Sequence, residues 1–156
     1  MAVLMIIATL VIMSHATTPP RSGAICAAGA AAMRDLPSIN HNPKIPAYFG
    51  ELKPDRPNLL TICPKLRLAI PHGYSPADDD ARERASGVEP MMGEVPRLPA
   101  AIYSVGIPKL SADGRHATVS LGYSCTGLCG AAYVGKYVRT RRGWVRDGPF
   151  QSLMVS

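Results

Sequence analysis

Ala117-Thr-Val-Ser-Leu-Gly-Tyr-Ser-Cys125-Thr-Gly-Leu-Cys129-Gly-Ala-Ala-Tyr133-Val-Gly-Lys-Tyr137 decides the fold. Ala117, Val119, Leu121 and Tyr123 alternate with polar or small residues, the period-two pattern of a half-buried strand. If Cys125 faces Cys129 across the turn, Tyr123 meets Ala131, Leu121 meets Tyr133 and Ala117 meets Tyr137. The odd-numbered face is then apolar on both strands. In a three-residue loop the left-handed position falls on Leu128, not on Gly127, so the reading asks for a wider loop using Gly130.

The same test extends to both sides. Upstream, Tyr103, Val105 and Ile107 form another alternating run, and Asp113-Gly114 marks the hairpin between. A two-residue Asp-Gly turn pairs Val105 with Gly122 and Ile107 with Ser120, which sets the apolar residues on opposite faces. A three-residue loop, Ala112 to Gly114, pairs Tyr103 with Tyr123, Val105 with Leu121 and Ile107 with Val119. Register follows the buried face, so the three-residue loop is expected. Downstream, Arg141-Arg142-Gly143 leads into Trp144-Val145-Arg146. A three-residue loop turns Val145 inward and a four-residue loop from Thr140 turns Trp144 inward. Burying Trp removes more apolar area, which favours the wider loop.

The half before residue 100 carries other signals. Ser22 to Arg34 reads as a short Ala-rich helix capped by Ser22 and ended by Pro37. Residues 37–58 are Pro- and Asn-rich and read as an extended loop. Leu59 to Ile70 reads as a strand, because Leu66, Leu68 and Ile70 alternate with Lys65, Arg67 and Ala69, and Pro64 and Pro71 confine it to an edge. Ser75-Pro76-Ala77-Asp78 opens a helix, with Ser75 as cap, Pro76 at the first position and Asp78 reaching back. Asp79 and Asp80 suit its positive end, Arg82 and Arg84 its negative end, and Gly87 its exit. Calcium is an alternative for Asp78 to Asp80, but capping explains the acids and no calcium-loop spacing is present. Gly87 to Pro99 is a further loop. The expected architecture is α+β: a C-terminal antiparallel β-meander over 100–156, with short helices and Pro-rich loops over 17–99 packed on it as one small domain.

Residues 1–16 read as a signal peptide. Ala2 to Met13 is an apolar run too short to span a bilayer, and Ser14-His15-Ala16 offers a cleavage site before Thr17-Thr18-Pro19-Pro20. The usual basic start is missing. A lipoprotein signal does not fit Gly23-Ala24-Ile25 before Cys26. Export to the periplasm or medium, with no transmembrane helix in the mature chain, is the expectation. An oxidising compartment then pairs Cys125 with Cys129 and Cys26 with Cys63. Four cysteines allow three connectivities. Zinc would want a second short pair, and a redox role would want Cys-x-x-Cys at a helix start.

Function is less legible. Among 156 residues with net charge +6, no nucleophile elbow, metalloprotease or phosphate-loop motif occurs. No cofactor or metal is expected, and no nucleic-acid motif accompanies the charge. Lys136, Arg139, Arg141, Arg142 and Arg146 cluster around the last hairpin, opposed only by Asp147. They read either as an anion-binding surface, with Tyr133 or Tyr137 nearby, or as edge protection against sheet aggregation. The preferred function is a non-enzymatic envelope or secreted module, using the sheet's even face or the Arg-rich hairpin. Its partner would be an anionic envelope polymer, a lipid surface or another envelope protein. The alternative is a small exported hydrolase using His72 or His116; His72, Asp78 and Ser75 make one conceivable trio.

Ile102 to Ser156 resembles the closing segment of uncharacterised exported bacterial proteins. The residues that carry the resemblance are Asp113-Gly114, Ala117-Thr118-Val119, Tyr123 through Gly130, Tyr137-Val138-Arg139, Gly143-Trp144 and Val155-Ser156. It covers about the last third of the chain. The resemblance implies export and the turn disulfide, and no activity.

Overall fold

The computed structural model describes residues 21–39, 44–86, 98–127 and 129–155. Residues 1–16, read above as a signal peptide, and His41, Gly87, Met91-Met92 and Leu128 lie outside the described residues.

The helical and extended elements run in chain order as α1 (Arg21–Asp35), β1 (Ala47–Phe49), α2 (Leu59–Ile62), β2 (Tyr74–Pro76) and α3 (Asp79–Ala85). The strands β3 (Ala101–Val105), β4 (Lys109–Leu110), β5 (His116–Cys125), β6 (Cys129–Thr140), β7 (Gly143–Arg146) and β8 (Gln151–Val155) follow. Two 3-10 turns, Leu36–Ser38 and Pro64–Ala69, follow α1 and α2. One sheet holds all the strands in the order β2-β1-β3-β5-β6-β7, with β4 on β5 and β8 on β6. The class is α+β. The sheet is mixed, however, because β1 lies parallel to both β2 and β3. The C-terminal strands therefore do not stand as a strict antiparallel meander; N-terminal strands complete their sheet.

The central ladder follows the apolar pattern. Cys125 pairs with Cys129, Tyr123 with Ala131, Leu121 with Tyr133 and Ala117 with Tyr137. Tyr103 pairs with Tyr123 and Val105 with Leu121. Ile107 does not reach Val119. Pro108 has no N–H to give a ladder, so β3 stops at Val105, and the chain resumes one residue out of register with Leu110 opposite Ala117. The loop is accordingly four residues, Ala112 to Arg115, closed by the Ser111 N–H on the His116 carbonyl at 2.9 Å. Gly114 and Gly127 carry the left-handed turn conformations, at φ +66° and +86°. The last hairpin has the register that buries Trp144, at 5% exposure against 44% for Val145. It closes one pair further than expected, at Thr140–Gly143, leaving Arg141-Arg142 as the turn.

The odd face is covered by the helical half. Ala24, Ala28, Ala31, Ala32 and Met33 of α1, with Leu36, Leu59 and Leu66, pack on Tyr103, Val105, Val119, Leu121, Tyr137 and Trp144. The Ala-rich side of α1 permits close approach. A Cβ on Gly29 would stand 2.6 Å from Leu59 Cδ1, so glycine there lets α2 seat against α1. Ser22 lies inside α1 and does not cap it.

Three expectations for the N-terminal half are corrected. Leu59–Ile70 is α2 and a 3-10 turn, not a strand. Asn58 Oδ1 accepts from the Thr61 N–H at 3.0 Å, and Thr61 Oγ1 accepts from the Asn58 N–H at 2.9 Å; this capping box starts a helical turn. Leu68 is 94% exposed, while Cys63 and Leu66 face inward at helical spacing. Ser75 and Pro76 belong to β2, and Asp78 is the actual cap of α3, its Oδ1 accepting from the Ala81 N–H at 2.7 Å. The 37–58 stretch contains β1, whose pairing partners lie far along the chain. Helix α3 lies on the even face, where Ala85 packs with Ala100 and Ile102. It is tied down by Ser124 Oγ on the Ala85 carbonyl (3.1 Å) and Thr126 Oγ1 on the Arg84 carbonyl (2.6 Å). No helix among the described residues is long and apolar enough to cross a membrane.

Candidate functional site

The β6–β7 hairpin sets its basic residues by strand alternation. Lys136 lies opposite Thr118 on the even face, and Arg139 lies opposite Trp144 on the odd face. Arg141 and Arg142 are exposed at the turn. Thr140 Oγ1 shapes that turn, donating to the Gly143 carbonyl at 2.8 Å and accepting from the Arg142 N–H at 3.2 Å. One further cation joins them: the Arg139 N–H donates to the Arg115 carbonyl at 2.8 Å, which brings exposed Arg115 beside Arg139. Extending the Ala117–Tyr137 register by one non-adjacent pair locates Arg115 there. The alternation of the strands contained that signal, although Arg115 lies far along the chain from the other cations. Lys136, Arg139, Arg141 and Arg142 have no ion-pair partner among the described residues.

Arg146 stands apart from this group. Its Nε is 3.8 Å from Asp35 Oδ2, its Nη1 lies 3.4 Å from Ser38 Oγ, and its guanidinium sits 4.3 Å over the Phe150 ring. Tyr137 donates its O–H to the same Asp35 oxygen at 3.1 Å. Burial first, and then the Asp35 charge, push the Tyr137 phenol well above its ordinary value. Arg146 and Tyr137 thus join the end of α1 to the sheet. Tyr137 is 1% exposed and does not offer a ring to a ligand; Tyr133 is half-buried, with Phe150 at 6.4 Å.

The even face has a second feature. Beyond α3, Ser104, Gly106, Gly122 and Ser124 floor a groove of about 430 Å³ walled by Leu52, Lys53, Arg56 and Pro57. Its floor is small and hydroxylic, and its wall carries positive charge.

Among the described residues, no hydrogen bond joins the imidazole of His72 or His116 to a serine hydroxyl. His72 is exposed in the turn before β2. His116 Nδ1 is 3.9 Å from Asp113 Oδ1, and Ser111 Oγ also contacts that carboxylate. A nucleophilic Ser needs the imidazole, not the carboxylate, as its immediate partner. Here the three residues close the β4–β5 hairpin, with the Arg115 N–H on Asp113 Oδ1 at 3.0 Å and the His116 N–H on Ser111 Oγ at 3.0 Å. Asp78 is occupied as a cap, and Asp79 and Asp80 pair with Arg82 and Arg84 at 2.8 and 2.9 Å.

The cysteines form two disulfides, Cys26–Cys63 and Cys125–Cys129, with Cα separations of 5.6 and 5.2 Å. The first clamps α1 to the α2 end. The second closes the β5–β6 turn beside Thr126, whose Oγ1 also accepts from the Ala100 N–H at 3.0 Å. No protein-family model, curated protein sequence or solved structure matches the chain.

Proposed function

We propose that the protein is an exported, non-enzymatic binding module that engages an anionic envelope surface, polymer or lipid, through the β6–β7 hairpin end. The observation that carries this reading is the grouping of Arg115, Lys136, Arg139, Arg141 and Arg142 at one end of the sheet. An exposed cation without a fixed partner has its charge available for an anion. The two disulfides are compatible with the oxidising compartment that the export reading requires.

The test is sedimentation of the oxidised protein with vesicles of anionic or zwitterionic lipid, and with anionic cell-wall polymer, across a salt series. Each basic residue near an anionic surface contributes about 1 kcal/mol, screened within a Debye length. Binding should fall with salt, and Arg141→Ala with Arg142→Ala should weaken it by roughly 10-fold or more. Salt-independent binding, or none to any anionic surface, overturns the reading. Export is tested by the intact mass of the chain made with its own N-terminus in a bacterial host. Loss of residues 1–16 and no alkylatable thiol is the expected result.

A further inference from the structure

A carboxylate in the N-terminal half has no use in the reading above. Glu51 leaves the end of β1 on a backbone fixed from several sides. The Gly50 N–H donates to the Tyr103 carbonyl at 3.0 Å, and the Ala77 N–H donates to the Phe49 carbonyl at 2.9 Å. Arg82 Nε donates to the Glu51 carbonyl at 3.0 Å, and its Nη2 to the Ala77 carbonyl at 2.8 Å. The Glu51 side chain is half-buried, yet it has no hydrogen-bond or ion-pair partner among the described residues. Burial pushes its carboxyl up from the ordinary value.

Glu51 lines a cavity of about 250 Å³ whose other walls include Phe49, Leu59, Ile70 and Val105. Arg67 and Arg82 line the same cavity, with Asn58 and Thr61, but neither arginine is within ion-pair distance of the Glu51 carboxylate. Arg82 spends its remaining nitrogen on Asp79 at 2.8 Å, and Arg67 is exposed. Lys53 and Arg56 line the neighbouring even-face groove, which Glu51 also borders. A half-buried, unpartnered carboxylate in a cavity with apolar walls is satisfied by a ligand that brings both a cation and a hydrocarbon body.

We propose that this cavity binds a small primary amine, with the ammonium on Glu51 and the apolar body against Phe49, Leu59, Ile70 and Val105. The site is separate from the basic hairpin and takes a ligand of opposite charge. The ammonium brings N–H donors and positive charge to a carboxylate that has neither within bonding distance among the described residues, and the hydrocarbon displaces water from the apolar part of the lining.

The test is an amide NMR titration of the oxidised full chain with isoamylamine and with isoamyl alcohol, which share a hydrocarbon body and differ in charge. Saturable shifts at Gly50, Glu51 and Val105, with the amine binding at least 10-fold tighter than the alcohol, are the expected result. Glu51→Gln keeps the shape of the side chain and should remove that preference while the spectrum stays dispersed. Arg141→Ala with Arg142→Ala should leave amine binding unchanged. Equal binding of amine and alcohol by the unaltered protein overturns the proposal without recourse to any variant. So does a preference that survives Glu51→Gln, or no binding of either compound.

Discussion

The β5–β6 ladder and the segment from 44 to 86 are held together by different means. Strands β5 and β6 pair continuously from His116–Val138 to Cys125–Cys129, each pair supported by its neighbours on the same face. The 44–86 segment consists of elements three to seven residues long, none able to persist alone. It is held by the Cys26–Cys63 disulfide, the Asn58 and Asp78 caps, and two arginines. Arg82 grips the Glu51 and Ala77 carbonyls, and Arg84 reaches Tyr48 Oη at 2.9 Å. The ladder draws stability from repetition, whereas the covering segment draws it from a few long-range fastenings. The candidate sites follow the same division: the cationic hairpin is the end of the long ladder, and the Glu51 cavity sits where the fastenings meet.

The contrast can be broken most severely at Cys26 and Cys63. Replacing both by Ser removes a cross-link over a separation of 37 residues and should cost about 4 kcal/mol in the chain-entropy view. Hydrogen exchange should show α1 and α2 losing protection while β5–β6 stays protected; equal loss in both would mean the two regions unfold as one unit. Trp144→Ala attacks the ladder's side of the core and should cost about 3 kcal/mol in denaturant unfolding. Replacing Cys125 and Cys129 by Ser, at a separation of four residues, should cost only about 2 kcal/mol. That ordering of the two disulfides is the sharpest check on the comparison. Asn58→Ala removes one capping side chain and should cost about 1 kcal/mol, read as a shift in the denaturant midpoint.

Alkaline pH probes the junction between the regions. The Tyr137 phenol is raised above its ordinary value of 10.0 because burial and Asp35 favour the neutral form. A group whose folded value is raised contributes stability below the unfolded value and loses it as pH climbs. Stability should therefore be flat below about pH 10 and fall above it. Tyr137→Phe should flatten that fall while costing about 1 kcal/mol at neutral pH for the lost bond to Asp35. Tyr74, also raised by burial, should keep part of the alkaline sensitivity in that variant.

The legible part of the fold is the part governed by parity. Tyr123 opposite Ala131, Leu121 opposite Tyr133, Tyr103 opposite Tyr123 and Trp144 turned inward all follow from placing apolar residues on one face across short turns. Both cysteine pairs, the Ala-rich α1 and the basic character of the last hairpin were legible for similarly local reasons. Leu59 to Ile70 misled because leucines at even spacing imitate a strand, whereas the capping box at Asn58 and the tie from Cys63 to Cys26 impose helical spacing. Lone Glu51, between Gly50 and Leu52, carried no motif at all.

The sequence by itself determined the face and pairing of the central C-terminal ladder and the pairing of its cysteines, but not the length of the loop at Asp113-Gly114. Those depend on neighbours a few residues away and on which side of a strand is apolar. Only the tertiary structure decided that Ala47–Phe49 and Tyr74–Pro76 join the sheet in parallel and that Arg146 is taken up by Asp35. It also decided that Glu51 lines a cavity shared by Phe49, Leu59, Ile70 and Val105 with Arg67 and Arg82. Parallel strands have no turn to set their register, and a side chain's environment is supplied by residues that only long-range packing brings near.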